Sequence, residues 1–335
     1  MIFKLFCAKS VMAAELEQID RTILFELSKD AGQSLSEIAK KIRRSVPTAE
    51  YRIGKLMERK MIRSFLTLID YKRLGYTNYF IYWTLRNMNA KKEGALIADL
   101  AKDENVNAVF RWDGTWNISV GILARDVFEL SGIVARIKER FSANIDKEAF
   151  TVHLGAHHFG RNYLVSEKER PVMEITPITG GKVESVEIDK VESRILRTIR
   201  SGARLPTVEI AEKTGLTPDI VRYRMKRLRK EGVIVGASVL FDYSNFYPMY
   251  RVLLSTRGMT AKKEHELFAF LGQRKNIFRA MKTFGAYDIA IDAEFERVED
   301  FRAFLFELKD KFSDLITHHE TLSAVSADKS GYFLG

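Results

Sequence analysis

The sequence predicts an α+β protein built from two copies of one unit. Each unit is a winged helix-turn-helix followed by a ferredoxin-like βαββαβ effector module, and the sheets of the two modules pair within the chain. Three observations predict this. First, a basic helical phrase is written twice. "RRSVPTAEYRIGKLMERKMI" (Arg43–Ile62) and "LTPDIVRYRMKRLRKEGVI" (Leu216–Ile234) superimpose at an offset of 172, with Tyr51 on Tyr223, Arg52 on Arg224 and Leu56 on Leu228. Second, the repeat runs on at an offset of 171: "AKKE" at Ala90–Glu93 and Ala261–Glu264, Gly114 on Gly285, Gly160 on Gly331. Third, in each copy helical spacing gives way to alternating strands and helices.

The helical part comes first. In the second copy Ile188, Val191, Ile195 and Ile199 recur at helical spacing, and a short helix follows at Pro206–Thr214 with Ile210 and Ala211 inward. Gly215 suits a left-handed cap, Thr217 an N-cap and Pro218 the tolerated first helical position. The third helix, Pro218–Glu231, turns Val221, Met225 and Leu228 inward, and Gly232 ends it. The first copy repeats the pattern with Ile19, Ile23, Leu24 and Leu27, then Ile38, Ala39 and Ile42, then Ala49, Ile53 and Leu56. Three short helices with a tight turn before the third describe a helix-turn-helix.

The second part begins with a bridging strand, 65–71 or 234–243. In the first copy strands follow at 78–85, 106–112, 116–124 and 147–154, with helices at 91–102 and 127–141. In the second copy the strands fall at 249–255, 277–284, 287–294 and 318–325, the helices at 262–271 and 298–312. The order is β-α-β-β-α-β, with both helices on one face. Strand residues such as Phe80, Tyr82, Val109 and Ile118 leave the other face too apolar to stay wet, so a second sheet must cover it. Residues 1–15 are expected to be a disordered extension and 159–185 a linker rich in Pro, Gly and charge. The heads then span 16–63 and 186–234, the modules 64–158 and 235–335.

Bulk properties narrow the function. Of 335 residues, 54 are Lys or Arg and 44 Asp or Glu, giving a net charge of +10 that favours an anionic partner. Cys7 is the single cysteine, so no internal disulfide forms and a reducing, cytoplasmic setting is expected. No stretch has the length and apolarity of a membrane span. The adjacent pairs His157–His158 and His318–His319 point to opposite strand faces and lack completing ligands, so no metal is expected. "TGGKVES" (Thr179–Ser185) lacks the spacing of a phosphate loop. No nucleophile elbow or catalytic triad is visible, and no cofactor is expected.

The order of head, bridging strand and sheet module resembles the Lrp/AsnC ("feast or famine") family of transcription regulators over Glu17–Ala156 and Val186–Ser326. The resemblance rests on "IDRTILFEL" (Ile19–Leu27), "EIAEKTGLTPDIVRYRMKRLRKEGVI" (Glu209–Ile234) and "FGAYDIAI" (Phe284–Ile291). Family members normally carry one unit per chain, so this chain looks like a fused pair. The resemblance implies double-stranded DNA as partner, an amino acid or related small molecule as effector, and self-association through the sheet modules.

A groove-reading helix needs an inward apolar stripe, an outward face and flanking cations. On the second copy these criteria select Asp219, Arg222, Tyr223, Lys226 and Arg227, with Arg222 and Tyr223 for base edges. On the first they select Arg44, Thr48, Tyr51, Arg52 and Lys55. Glu50 stands where Arg222 does, so the two half-sites should differ. The glycine loops offer Gly285, Tyr287 and Asp288 in one copy and Gly114 and Asn117 in the other as effector contacts: amides for a carboxylate, and Asp288 for an ammonium group. Siroheme decarboxylases resemble the same tandem layout, so an enzyme of tetrapyrrole biosynthesis is the rival reading. The strands Tyr76–Leu85 and Tyr247–Thr256 carry Arg251 but no histidine, which counts against it.

Overall fold

The computed structural model describes residues 16–167, 177–180, 183–242 and 246–331. The expected extension at 1–15 lies outside the described residues, as does the middle of the linker. In the first copy α1 (Gln18–Lys29), α2 (Leu35–Lys41) and α3 (Val46–Glu58) form the head. After β1 (Ile62–Ile69) come β2 (Thr77–Leu85), α4 (Ala90–Lys102), β3 (Val106–Gly114), β4 (Ile118–Ala124), α5 (Val127–Phe141) and β5 (Ile145–His158). A short β6 (Pro177–Gly180) precedes the second head, α6 (Lys190–Ile199), α7 (Thr207–Thr214) and α8 (Pro218–Lys230). The chain ends with β7 (Ile234–Phe241), β8 (Met249–Thr256), α9 (Ala261–Gly272), β9 (Ile277–Gly285), β10 (Ile289–Glu294), α10 (Val298–Lys311) and β11 (Ile316–Ser330).

The heads form where their caps dictate. Ser34 with Glu37 and Asp189 with Glu192 close capping boxes at α2 and α6. Ser45 and Thr217 cap α3 and α8 by accepting from Thr48 N and Ile220 N. Between the heads, β1 and β7 pair antiparallel, Phe65 opposite Val239 and Thr67 opposite Ala237. Each head leans on the other copy's strand: Ala31 N donates to Ala237 O at 3.1 Å, and its counterpart Ala203 N to Phe65 O at 3.1 Å. Arg204 adds 2.8 Å bonds to the carbonyls of Ala31 and Gln33. The two third helices are thereby mounted on one shared ribbon.

The sheet modules do more than stack. Their strands run β2-β4-β3-β11-β8-β10-β9-β5, and β5 returns to β2, closing a ring of eight. β5 pairs with β2 along Ile145–Val152, then with β9 along Thr151–His158. β11 likewise pairs with β8 and then with β3. The two modules pair within the chain as expected; beyond that expectation, each last strand is longer than 147–154 or 318–325 and crosses to the other module. Facing side chains still fill the interior, with Tyr82, Phe110, Trp112 and Trp116 against Leu253, Phe278, Met281 and Tyr287. The helices cover the outside: Leu96, Leu100, Ile133 and Ile137 on one module, Leu267, Leu271, Phe304 and Leu308 on the other. The linker's ends are structured, contrary to expectation. Leu164 and Val165 are buried with the first head, and β6 pairs with β5.

The interior is asymmetric. Arg251 is bound to Asp292 at 2.7 and 3.0 Å, and Arg279 reaches the same carboxylate at 2.8 Å. Burial alone would raise the Asp292 pKa; the two guanidinium groups carry it down to about 2. At the equivalent first-copy positions stand Phe80, Gly121 and Ala108. Arg251 lies over Trp112 at 4.8 Å, and over Phe110 and Phe80. The charged face of one module therefore meets an aromatic face of the other.

Candidate nucleic-acid interface

The outward face of each third helix is open. Ala49, Ile53 and Leu56 on α3 are buried, as are Val221 and Leu228 on α8. Opposite them Tyr51 and Tyr223 are 64% and 66% exposed. Lys55, Arg222 and Lys226 are exposed and Thr48 is half-buried, with exposed Arg229 and Lys230 further along α8 and Arg44 just ahead of α3. Lys55 pairs with Glu58 at 2.7 Å and sits over the Tyr51 ring; Arg222 pairs with the exposed Asp219. Thr48 bonds the Ser45 hydroxyl at 2.8 Å, so it also belongs to the cap.

Two expected contacts face the protein instead. Arg52 donates to Asp20, on the first turn of α1, at 3.0 Å and to Glu17, the residue just before that helix, at 2.8 Å. Its counterpart Arg224 pairs with Asp189 at 2.8 Å and with Glu192, the residues 172 positions on from Glu17 and Asp20. Arg227 adds 2.8 and 2.9 Å bonds to fully buried Glu192. A carboxylate removed from water on the inner side draws the neighbouring guanidinium inward, so Arg52 and Arg227 anchor α3 and α8 rather than reach outward. Charge counting on the sequence alone missed this, because it did not pair the helix with α1 and α6. Ile220, an apolar position that the spacing also puts off the buried stripe, is 42% exposed beside Tyr223.

The glycine loops are occupied by the fold. Asp288 Oδ2 accepts from Thr256 N at 2.6 Å and Thr256 Oγ1 at 2.8 Å; its counterpart Asn117 Oδ1 accepts from Leu85 N at 2.7 Å. Each latches the end of its module's first strand, β2 or β8. Gly285 and Gly114 have φ of 130° and 142°, and an added Cβ would lie 2.5 Å from Phe150 O or 2.7 Å from Thr321 O. The glycines let the other module's last strand come close, and Ala286 N already donates to Phe150 O. Tyr287 is buried, and Trp116 Nε1 donates to its hydroxyl at 2.8 Å, joining two equivalent positions across the ring. Burial pushes that phenol's pKa up. Gly114, Gly285 and Tyr287 therefore stand where the two modules meet, while Asn117 and Asp288 each tie their loop to a strand of their own module. Among the described residues no group of three potential metal ligands gathers, and no helix is long and apolar enough to cross a membrane.

A winged helix-turn-helix DNA-binding family model matches residues 16–63 and 188–235, the two heads. The HTH-type transcriptional regulator FL11 of Pyrococcus abyssi is 30% identical over 123 residues, covering 37% of this chain and 80% of that protein. An uncharacterized HTH-type transcriptional regulator of Pyrococcus furiosus is 33% identical over 120 residues, 36% of this chain and 80% of that protein. Each is spanned by a stretch about one unit long. Over the whole length, the solved structure of the siroheme decarboxylase NirDL shares the fold at a TM-score of 0.59, with 14% identity, covering 95% of this chain and 94% of that one. Two matched heads, a single-unit relative spanned over most of its length and a duplicated architecture make this chain a member of the Lrp/AsnC family of helix-turn-helix transcriptional regulators, with the family's unit written twice.

Proposed function

We propose that the chain is a sequence-specific, double-stranded DNA-binding regulator that reads two non-identical half-sites. The observation that carries this is the pair of capped third helices, each with an open face and each pinned from behind by an arginine on a carboxylate of its own head. Arg222 and Tyr223, with Ile220 suited to a thymine methyl, are the base-reading candidates on α8; Tyr51 and Thr48 are those on α3. Arg44, Lys55, Lys226 and Arg229 supply phosphate contacts. Fusion makes the pairing of heads intramolecular and permits an asymmetry that identical subunits lack. Selection of bound genomic fragments by the purified protein tests the reading. The expected result is an asymmetric motif with half-sites near one helical turn apart, and Arg222→Ala relaxes one half-site at a cost of roughly 1–3 kcal/mol. An unchanged motif in that variant removes Arg222 from the bases. Regulation by an amino acid or related small molecule is part of the same proposal.

Further pairing of chains through the sheet modules is proposed on the exposed Phe150 and Phe284, which lie diagonally across β5 and β9. Sedimentation of the wild type against Phe284→Ser decides it; identical sedimentation of the two rules that face out. The enzyme reading draws on the whole-length fold shared with the decarboxylase. It calls for histidines beside a tetrapyrrole-sized pocket. His153 is instead buried against Tyr71, 2.7 Å from its hydroxyl, and the cavity beside His158 measures about 60 Å³. Binding of siroheme with a shifted visible spectrum and release of CO2 would revive it.

A further inference from the structure

The outward faces of the two third helices differ at aligned positions. Where α8 carries Asp219, Arg222, Lys226 and Arg229, α3 carries Pro47, Glu50, Gly54 and Met57. Arg222 is paired with Asp219, three residues before it. Glu50 is exposed, and among the described residues its carboxylate has neither a hydrogen bond nor an ion pair. Its own helix offers no cation, because the positions three and four residues away are Val46, Pro47, Ile53 and Gly54. A Cβ added at Gly54 would meet nothing within 4 Å, so the surface beside the carboxylate is open. The cations that α3 lacks stand ahead of it. Lys40, Arg43 and Arg44 are exposed and form no ion pair among the described residues, where the second copy has Glu212, Gly215 and Leu216.

A bare carboxylate on a face turned toward phosphates is repelled unless a donor meets it. On base edges in the major groove the donors are the exocyclic amino groups, cytosine N4 and adenine N6. Adenine N6 lies beside the acceptor N7, whose lone pair opposes a carboxylate, whereas cytosine N4 lies beside a C–H. From this we infer that Glu50 is a specificity-determining residue that accepts from cytosine N4, at the position where Arg222 takes guanine O6 and N7 in the other half-site. Read outward from the operator's centre, the matching base pair is inverted: C·G in one half, G·C in the other. Lys40, Arg43 and Arg44 supply from the turn the phosphate contacts that α3 lacks, and Gly54 leaves α3 room to sit close to the base edges. The inference rests on the regulator reading and gives the asymmetry of its half-sites a chemical form.

The test lets the full chain select from a pool of randomised duplexes at low ionic strength, as wild type and as Glu50→Gln, Glu50→Arg and Gly54→Lys. Because Glu50 is exposed, its two variants should melt within about 2 °C of the wild type. The wild type is expected to select a cytosine in one half-site and to lose roughly tenfold in affinity when that base pair is changed. Glu50→Gln exchanges the cytosine for adenine, whose N6 and N7 a side-chain amide bonds; Glu50→Arg exchanges it for guanine, matching the base assigned to Arg222. Gly54→Lys sets an ammonium group four residues after the carboxylate, draws it off the base and levels the preference while tightening binding to every duplex. If Glu50 only repels phosphate, its two variants bind every duplex more tightly and select the wild-type motif. That outcome, or a base other than cytosine at the position that Glu50→Gln alters, overturns the inference and leaves the DNA reading standing. A wild type that retains no duplex removes the DNA reading and this inference with it.

Discussion

Gly215 and Gly232 sit in the left-handed region at φ of 65° and 70°, ending α7 and α8, and their first-copy counterparts are Arg43 and Lys60, both at φ 54°. The fold demands the same backbone in both copies, yet only one copy supplies the residue that adopts it without a Cβ penalty. Lys60→Gly is therefore expected to stabilise the protein by about 1 kcal/mol, read as a higher urea midpoint at unchanged m-value. A lower midpoint would mean that the lysine side chain contributes more than the strain costs. The arginines divide at the same scale. Arg52→Ala leaves buried Asp20 without its partner and should cost about 1–3 kcal/mol of stability. Arg222→Ala should leave stability within about 0.5 kcal/mol and weaken DNA binding instead. Equal losses of stability in the two variants would contradict the inward and outward assignments.

At the scale of the element, the recognition helices and their caps were legible in the sequence. Spacing of Val221, Met225 and Leu228 after a Thr-Pro start is a local signal, and α8 spans Pro218–Lys230 as the pattern requires. The last strand of each module was legible only in its first half. Residues 155–158 and 326–330 alternate poorly, because their partners belong to the other module and their neighbours differ on each side. The glycine loops were found from their residues, but their part in the strand crossing was not, since a glycine that accommodates a strand looks the same in sequence as one that accommodates a ligand. Gly285→Ala places a methyl 2.5 Å from Phe150 O at a φ of 130°. It is expected to cost about 2–4 kcal/mol in urea unfolding, because both the strand crossing and the backbone conformation resist it. A free loop would tolerate the change within about 0.5 kcal/mol.

For the whole molecule, two charge-dependent behaviours follow. Binding that neutralises about six to ten phosphates should weaken roughly a thousandfold or more between 50 and 200 mM salt, measured by fluorescence anisotropy. Stability should fall in mild acid. Burial first, then Arg279 and Lys72, hold the His153 pKa down to about 3 in the folded chain. The unfolded chain takes up that proton near pH 6.5, so the contribution of neutral His153 is full above that pH and is lost as pH falls toward 3. The slope is roughly 1 kcal/mol per pH unit. Urea midpoints at pH 7.5 and 5.0 should converge in His153→Gln relative to the wild type; an unchanged difference would acquit this histidine.

Taken alone, the sequence determined the duplication, the helix boundaries, the cationic third helices and the need for two sheets to cover one another. Each of these is written in local periodicity or in self-comparison at a fixed offset. Only the tertiary structure decided that the sheets close into one ring, that Arg52 and Arg227 turn inward, and that the glycine loops latch strands. Those outcomes depend on which carboxylate or carbonyl from a distant segment arrives beside each group. A linear pattern of charges and glycines does not encode that arrival.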